Sequence, residues 1–117
     1  MILMVSSTGK TVESSCDPRF GRCQFFVKYD TDKKVYEFIE NTGISANHGA
    51  GIAAAQVVVD QKVDYLLTGN LGPKAFQVVS GAGIKAFRVE GVSVGEAVEQ
   101  FDVKTGELIQ VPGMSLK

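Results

Sequence analysis

The stretch Asp64-Tyr-Leu-Leu-Thr-Gly-Asn-Leu-Gly-Pro-Lys-Ala-Phe-Gln-Val-Val-Ser80 decides the fold. Asp64 to Thr68 is a short apolar run that reads as a buried strand, Gly69-Asn-Leu-Gly72 is a loop, and Pro73 suits the first position of a helix reaching about Ser80. Upstream, Gly49 to Lys62 is alanine-rich and places Ile52, Ala55, Val59 and Val63 near the helical period, which predicts a helix. The β-branched run Val57-Val-Val59 is the conflicting signal. Downstream, Gly81-Ala-Gly83 ends the second helix, Ile84 to Val89 reads as a strand and Val94 to Phe101 as a short helix. Helices alternating with strands across short loops imply parallel strands joined by right-handed crossovers.

The first forty residues follow the β period instead. Ile2 to Ser7 reads as a strand; Gln24 to Asp30 and Val35 to Asn41 read as a hairpin joined by Thr31-Asp-Lys-Lys34. Between them Ser14-Ser-Cys-Asp-Pro-Arg-Phe-Gly-Arg-Cys23, broken by Pro18 and Gly21, is a loop. Val103 to Val111, with a turn at Lys104-Thr-Gly106, reads as a small hairpin or a loose end. The expected order is βββαβαβα in a layered α/β fold with a mixed sheet of about five strands. It is expected as a single domain over residues 1–117, with a core over about residues 1–101 and residues 102–117 as a C-terminal tail or small hairpin.

Composition narrows the function classes. The 117 residues are 44% hydrophobic and 21% charged, with a formal charge of −1. A chain of this length buries about two-thirds of its surface, so a disulfide or metal staple is unnecessary. There is no net positive field to draw in nucleic acid or an anionic membrane. The first residues lack a basic n-region, and the uncharged stretch Asn41 to Val59 is too polar to span a bilayer, so a cytoplasmic protein is expected, with Cys16 and Cys23 reduced.

The 13 glycines exceed the average share of about 7% and need a structural reason. Gly49-x-Gly51-x-x-Ala54 follows the strand region and opens a helix, as in the dinucleotide fingerprint, but no acidic residue stands about 20 positions on, at the end of the next strand, to hold a ribose. Gly69-Asn-Leu-Gly-Pro73 lacks the spacing of a nucleotide triphosphate loop. What survives is two small-residue helix starts at the carboxyl ends of parallel strands. They should share one crevice suited to an anionic ligand. His48, the only histidine, borders it and reads either as a metal ligand or as an ordinary hydrogen-bonded residue. Cys16 and Cys23 read either as cluster ligands or as buried fillers, and Arg19 and Arg22 as partners of an anion or as solvated loop charges. No catalytic constellation is visible: the carboxylates Asp17, Asp30 and Asp32 do not converge, and no Ser-His-Asp set is suggested.

Three motifs in order, Ser14-Ser-Cys-Asp-Pro-Arg-Phe-Gly-Arg-Cys-Gln-Phe-Phe26, Asn47-His-Gly-Ala-Gly-Ile52 with Ala54-Ala-Gln56, and Val63-Asp-Tyr-Leu-Leu-Thr-Gly-Asn-Leu-Gly-Pro73, resemble the dinitrogenase iron-molybdenum cofactor biosynthesis family, which includes NifX-like carriers and the C-terminal domain of NifB-like proteins. The resemblance runs from Met1 to about Phe101. It implies a ribonuclease H-like, three-layer α/β/α fold with a mixed five-stranded sheet. It also implies a non-enzymatic carrier of an iron–sulfur or iron-molybdenum-type cofactor or its precursor, exchanged with donor and acceptor assembly proteins. The binding residues that the resemblance implies are Phe20, Gly21, His48, Gly49, Gly51, Gly69, Asn70, Leu71 and Gly72, with His48 as a metal ligand; the chemistry of the residues themselves adds Arg19 to the expected site and Cys16 and Cys23 to the expected metal contacts. The chain itself is expected as a monomer or weak homodimer, without nucleic-acid or membrane partners. A small-molecule or nucleotide-phosphate-binding protein using the same helix starts is the alternative, and a domain acting by partner contact alone is a third.

Overall fold

The computed structural model describes residues 1–44 and 49–110. The strand β1 (Ile2–Ser7) is followed by a long loop containing a 3-10 turn at Phe20–Arg22, then by the hairpin β2 (Phe25–Asp30) and β3 (Val35–Glu40). The second half alternates: α1 (Ala50–Asp60), β4 (Tyr65–Thr68), α2 (Pro73–Gly81), β5 (Lys85–Arg88), α3 (Val94–Gln100) and β6 (Glu107–Leu108). The strands form one mixed sheet in the order β3-β2-β1-β4-β5-β6. β1, β4 and β5 run parallel, while β2, β3 and β6 are antiparallel to their neighbours.

The strand count corrects the sequence expectation. Six strands are present rather than five, because Glu107–Leu108 pairs antiparallel with Arg88 and Phe87 of β5. A two-residue strand leaves no periodic signal to read. It is held in place by the Ile109 N–H, which donates to the Ala86 carbonyl at 2.8 Å, and by burial of the Ile109 side chain.

The period of two along each strand divides the core into two layers. Met4, Phe26, Leu66 and Ala86 face α1 and α2, meeting Ala54, Ala55, Val58, Ala75 and Val79. Leu3, Val5, Val27, Leu67 and Phe87 face the other way, meeting Val94, Ala97 and Val98 of α3. The result is the expected α/β/α layering. The β-branched run resolves within α1: Val58 is fully buried and Val57 and Val59 pack against the same core, so burial outweighs the small helix penalty of each valine. Among the described residues no helix is long and apolar enough to cross a membrane.

Candidate functional site

The carboxyl ends of β1 and β4 meet over a small polar floor. Ser6, Thr68 and Asp17 are each at most 2% exposed. Ser6 Oγ donates to the Asp17 carbonyl at 2.6 Å, so in the 2.8 Å contact between the two hydroxyls Thr68 is the donor. The Asp17 N–H donates to the Ser6 carbonyl at 2.8 Å. Fixed in this way, the Asp17 carboxylate accepts from Arg19 three times: from its backbone N–H at 2.9 Å, from Nε at 3.1 Å and from Nη2 at 3.1 Å. The forked contact orients the guanidinium and raises its already high pKa, while leaving the Arg19 side chain 69% exposed.

Arg19 thereby forms one wall of a crevice of about 450 Å³. Three chain segments enclose it: the loop from Pro18 to Gly21, the start of α1 at Gly49, Gly51 and Ile52, and the start of α2 from Gly72 to Ala75, with Asn70 beside it. The segments approach closely because the contact positions lack side chains. A Cβ on Gly69 would lie 2.5 Å from Pro18 Cα, and one on Gly21 would lie 3.1 Å from both the Cα and the N of Gly51. Arg19 and Asn70 then pair as an isolated parallel bridge, which joins the first loop to the α2 start.

Both helices open onto this crevice with glycine caps. Gly49 caps α1 at φ 71°, Gly72 caps α2 ahead of Pro73, and neither start has a side-chain cap or an acidic residue in its first turn among the described residues. The first helical bonds are Ala53 N–H to the Gly49 carbonyl and Phe76 N–H to the Gly72 carbonyl, both 2.9 Å. The N–H groups of Ala50, Gly51 and Ile52 in α1, and of Lys74 and Ala75 in α2, therefore precede the intrahelical ladder. The crevice is thus bordered by the positive ends of two helix dipoles, by Lys74 and by Arg19 in its ion pair with Asp17, with no carboxylate among its lining residues.

Seven of the sequence-derived binding residues line this one crevice: Arg19, Phe20, Gly21, Gly49, Gly51, Asn70 and Gly72. Two others lie behind it. Leu71 is fully buried in the α1–α2 layer, and Gly69 packs against Pro18. His48 lies outside the described residues, adjacent in sequence to Gly49. Neither cysteine lines the crevice. Cys16 is buried in the α3 layer and its thiol contacts the Ser93 carbonyl at 3.6 Å; Cys23 is buried in the α1–α2 layer beneath the loop, donating to the Phe20 carbonyl at 3.2 Å. Burial pushes Cys16 up to about 11, with Glu96 adding to the effect, and pushes Cys23 up to about 12, with Asp17 adding to it. Both are thiols, not thiolates, near neutral pH. Among the described residues no three His, Cys, Asp or Glu side chains are placed to hold a metal ion together. Pro18, Ile52, Pro73, Lys74 and Ala75 were not anticipated as lining residues; Lys74 was legible as the residue just inside a Pro-initiated helix.

A family model described as dinitrogenase iron-molybdenum cofactor matches residues 1–104. The chain belongs to that family. Within reach of the dinitrogenase iron-molybdenum cofactor family lie several relatives. The apo form of the orange protein from Desulfovibrio gigas is similar at 37% identity and a TM-score of 0.91, covering 97% of this chain and 96% of that one. A Thermotoga protein provisionally named as a NifB protein is similar at 35% identity and a TM-score of 0.81, covering 94% of each chain. An uncharacterised protein of Methanocaldococcus jannaschii is 32% identical over 87 residues, 72% of this chain and 74% of its own length.

Proposed function

We propose that this protein is a cytoplasmic, non-catalytic carrier that binds an anionic iron–sulfur or iron-molybdenum-type cofactor, or its precursor, in the crevice and exchanges it with assembly proteins. The observation that carries this reading is the convergence of two glycine-capped helix starts with Arg19 and Lys74 on one carboxylate-free crevice, in a chain of the iron-molybdenum cofactor family. Backbone N–H groups, the Lys74 ammonium and the guanidinium N–H donors that Arg19 does not give to Asp17 meet an anion without closing a ligand cage around it, so the cargo can leave. His48, next to Gly49, is the side chain assigned to contact the metal. The two cysteines are buried and protonated, so the reading gives the cargo no thiolate from them.

Anaerobic reconstitution with iron and sulfide, read by absorption and by bound iron per chain, tests the proposal. Wild type is expected to take up a chromophore, His48→Ala and Arg19→Ala to lose most of it, and Cys16→Ser and Cys23→Ser to retain it. A protein that stays colourless under every condition, yet gains stability in a thermal screen of nucleotides, would assign the crevice to a phosphate ligand instead; at 100 times its dissociation constant such a ligand adds about 2.7 kcal/mol.

A further inference from the structure

Arg88, the last residue of β5, makes two contacts that point in different directions. Its Nη1 donates to the Gly69 carbonyl, and its Nε donates to Glu107 Oε2 at 3.1 Å. Gly69 opens the loop whose Asn70 and Gly72 line the crevice. On its other side this loop is pressed against Pro18 and bridged to Arg19. The short segment is thus gripped between the Arg19 loop and the end of β5.

The peptide plane makes the grip directional. No peptide bond among the described residues is cis, so the Gly69 carbonyl and the Asn70 N–H point in opposite directions from one rigid unit. Holding the carbonyl toward Arg88 turns the Asn70 N–H away from the end of β5. Glycine resists rotation less than any other residue, so this plane depends on an external hold. A charged donor supplies a stronger one than a neutral group.

We infer that Arg88 is a positioning residue for the crevice: it sets the Gly69–Asn70 peptide plane, and through it the placement of the α2 start relative to Arg19, while Glu107 of β6 orients its guanidinium. On this inference the two-residue strand β6 is a strut for the cargo loop as well as a sheet edge. Glu107 is 71% exposed, so its share is the smaller one. The consequence for cargo rests on the carrier reading; the hold on the loop does not.

Arg88→Met, Arg88→Lys and Glu107→Gln separate the possibilities with two measurements: backbone amide exchange and chemical shifts in the cargo-free protein, and bound iron after anaerobic reconstitution with iron and sulfide. In Arg88→Met the amides of Asn70 and Leu71 should shift and exchange about tenfold faster, those of β1 and α3 should stay as in wild type, and iron affinity should fall about tenfold. Arg88→Lys retains a donor and the charge and should recover most of both effects. Glu107→Gln should act in the same sense, more weakly, and add nothing in the Arg88→Met background. Unchanged loop amides in Arg88→Met would overturn the inference. So would acceleration spread evenly over the molecule, or altered loop amides with wild-type iron uptake. If wild type itself binds no iron, the carrier reading fails, and the amide measurement still decides whether Arg88 holds the loop.

Discussion

The helices α1 and α2 begin differently from α3. Ser93 caps α3 with a full capping box: its side chain accepts from the Glu96 N–H at 3.1 Å, and Glu96 Oε1 accepts from the Ser93 N–H at 2.9 Å. The two helices that open on the crevice have glycine caps and no acid in the first turn. Where a helix start has only a structural task, this chain satisfies its donors with side chains. Where two starts converge on one cavity, no side chain among the described residues caps them. The difference is economical in length, since α3 has seven residues and needs its cap more than the longer α1 and α2 do.

Four experiments break or sharpen that contrast. The largest effect is expected at Gly69, whose added Cβ would overlap Pro18: Gly69→Ala should lose about 3 kcal/mol in urea unfolding, whereas Gly72→Ala, with nothing within 4 Å, should stay within about 0.5 kcal/mol of wild type. One loop thus holds a packing glycine and a cavity glycine. Transplanting the α3 chemistry is the second test. Gly72→Asp should give α2 a side-chain cap worth a few tenths of a kcal/mol, yet cut uptake of an anionic cluster at least about tenfold by occupying N–H groups and adding negative charge. A stabilised variant with undiminished uptake would contradict the role assigned to the open helix start. The reverse change, Ser93→Ala, should cost about 1 kcal/mol, seen as a melting temperature lower by about 4 °C, with cluster uptake unaffected.

The fourth test is alkaline. Both thiols have folded pKa values raised above the ordinary 9.0, to about 11 and about 12. Above pH 9 the unfolded chain loses these protons first, so their contribution is fully present below pH 9 and is lost as pH rises toward 11 and 12. The urea midpoint should therefore fall across that window, and the fall should be shallower in Cys16→Ser and in Cys23→Ser; equal slopes in all three proteins would remove the thiols from the account.

Much of the scaffold was legible because its signals are periodic. The hairpin, the Pro73 helix start and the strand before it sit within a residue or two of their expected bounds, since alternation and a Pro at the first helical position both act locally. The valines of α1 had the opposite local preference, and only their burial against the sheet decides the outcome. The glycine pairs pointed to a shared crevice, but the spacing of Cys16 and Cys23 could not show that the loop sends their side chains to opposite layers. Nor could it show that Arg19 is oriented by a buried carboxylate two residues earlier. Those facts depend on which face of β1 each residue meets after a loop, and no periodicity runs through that loop. The tail around β6 read as a small hairpin or a loose end, and its pairing with β5 was not legible for a related reason: its place comes from Arg88 and Ile109, not from its own two residues.

The two cysteines, each sealed in its own layer, also equip the molecule with a pair of internal clocks. A protonated, buried thiol is alkylated only when its surroundings open. Cys23 then times the parting of α1 and α2 from the sheet, and Cys16 times the lifting of α3. Pulse labelling of the unmodified chain would show whether the layer under the crevice breathes faster than the α3 layer.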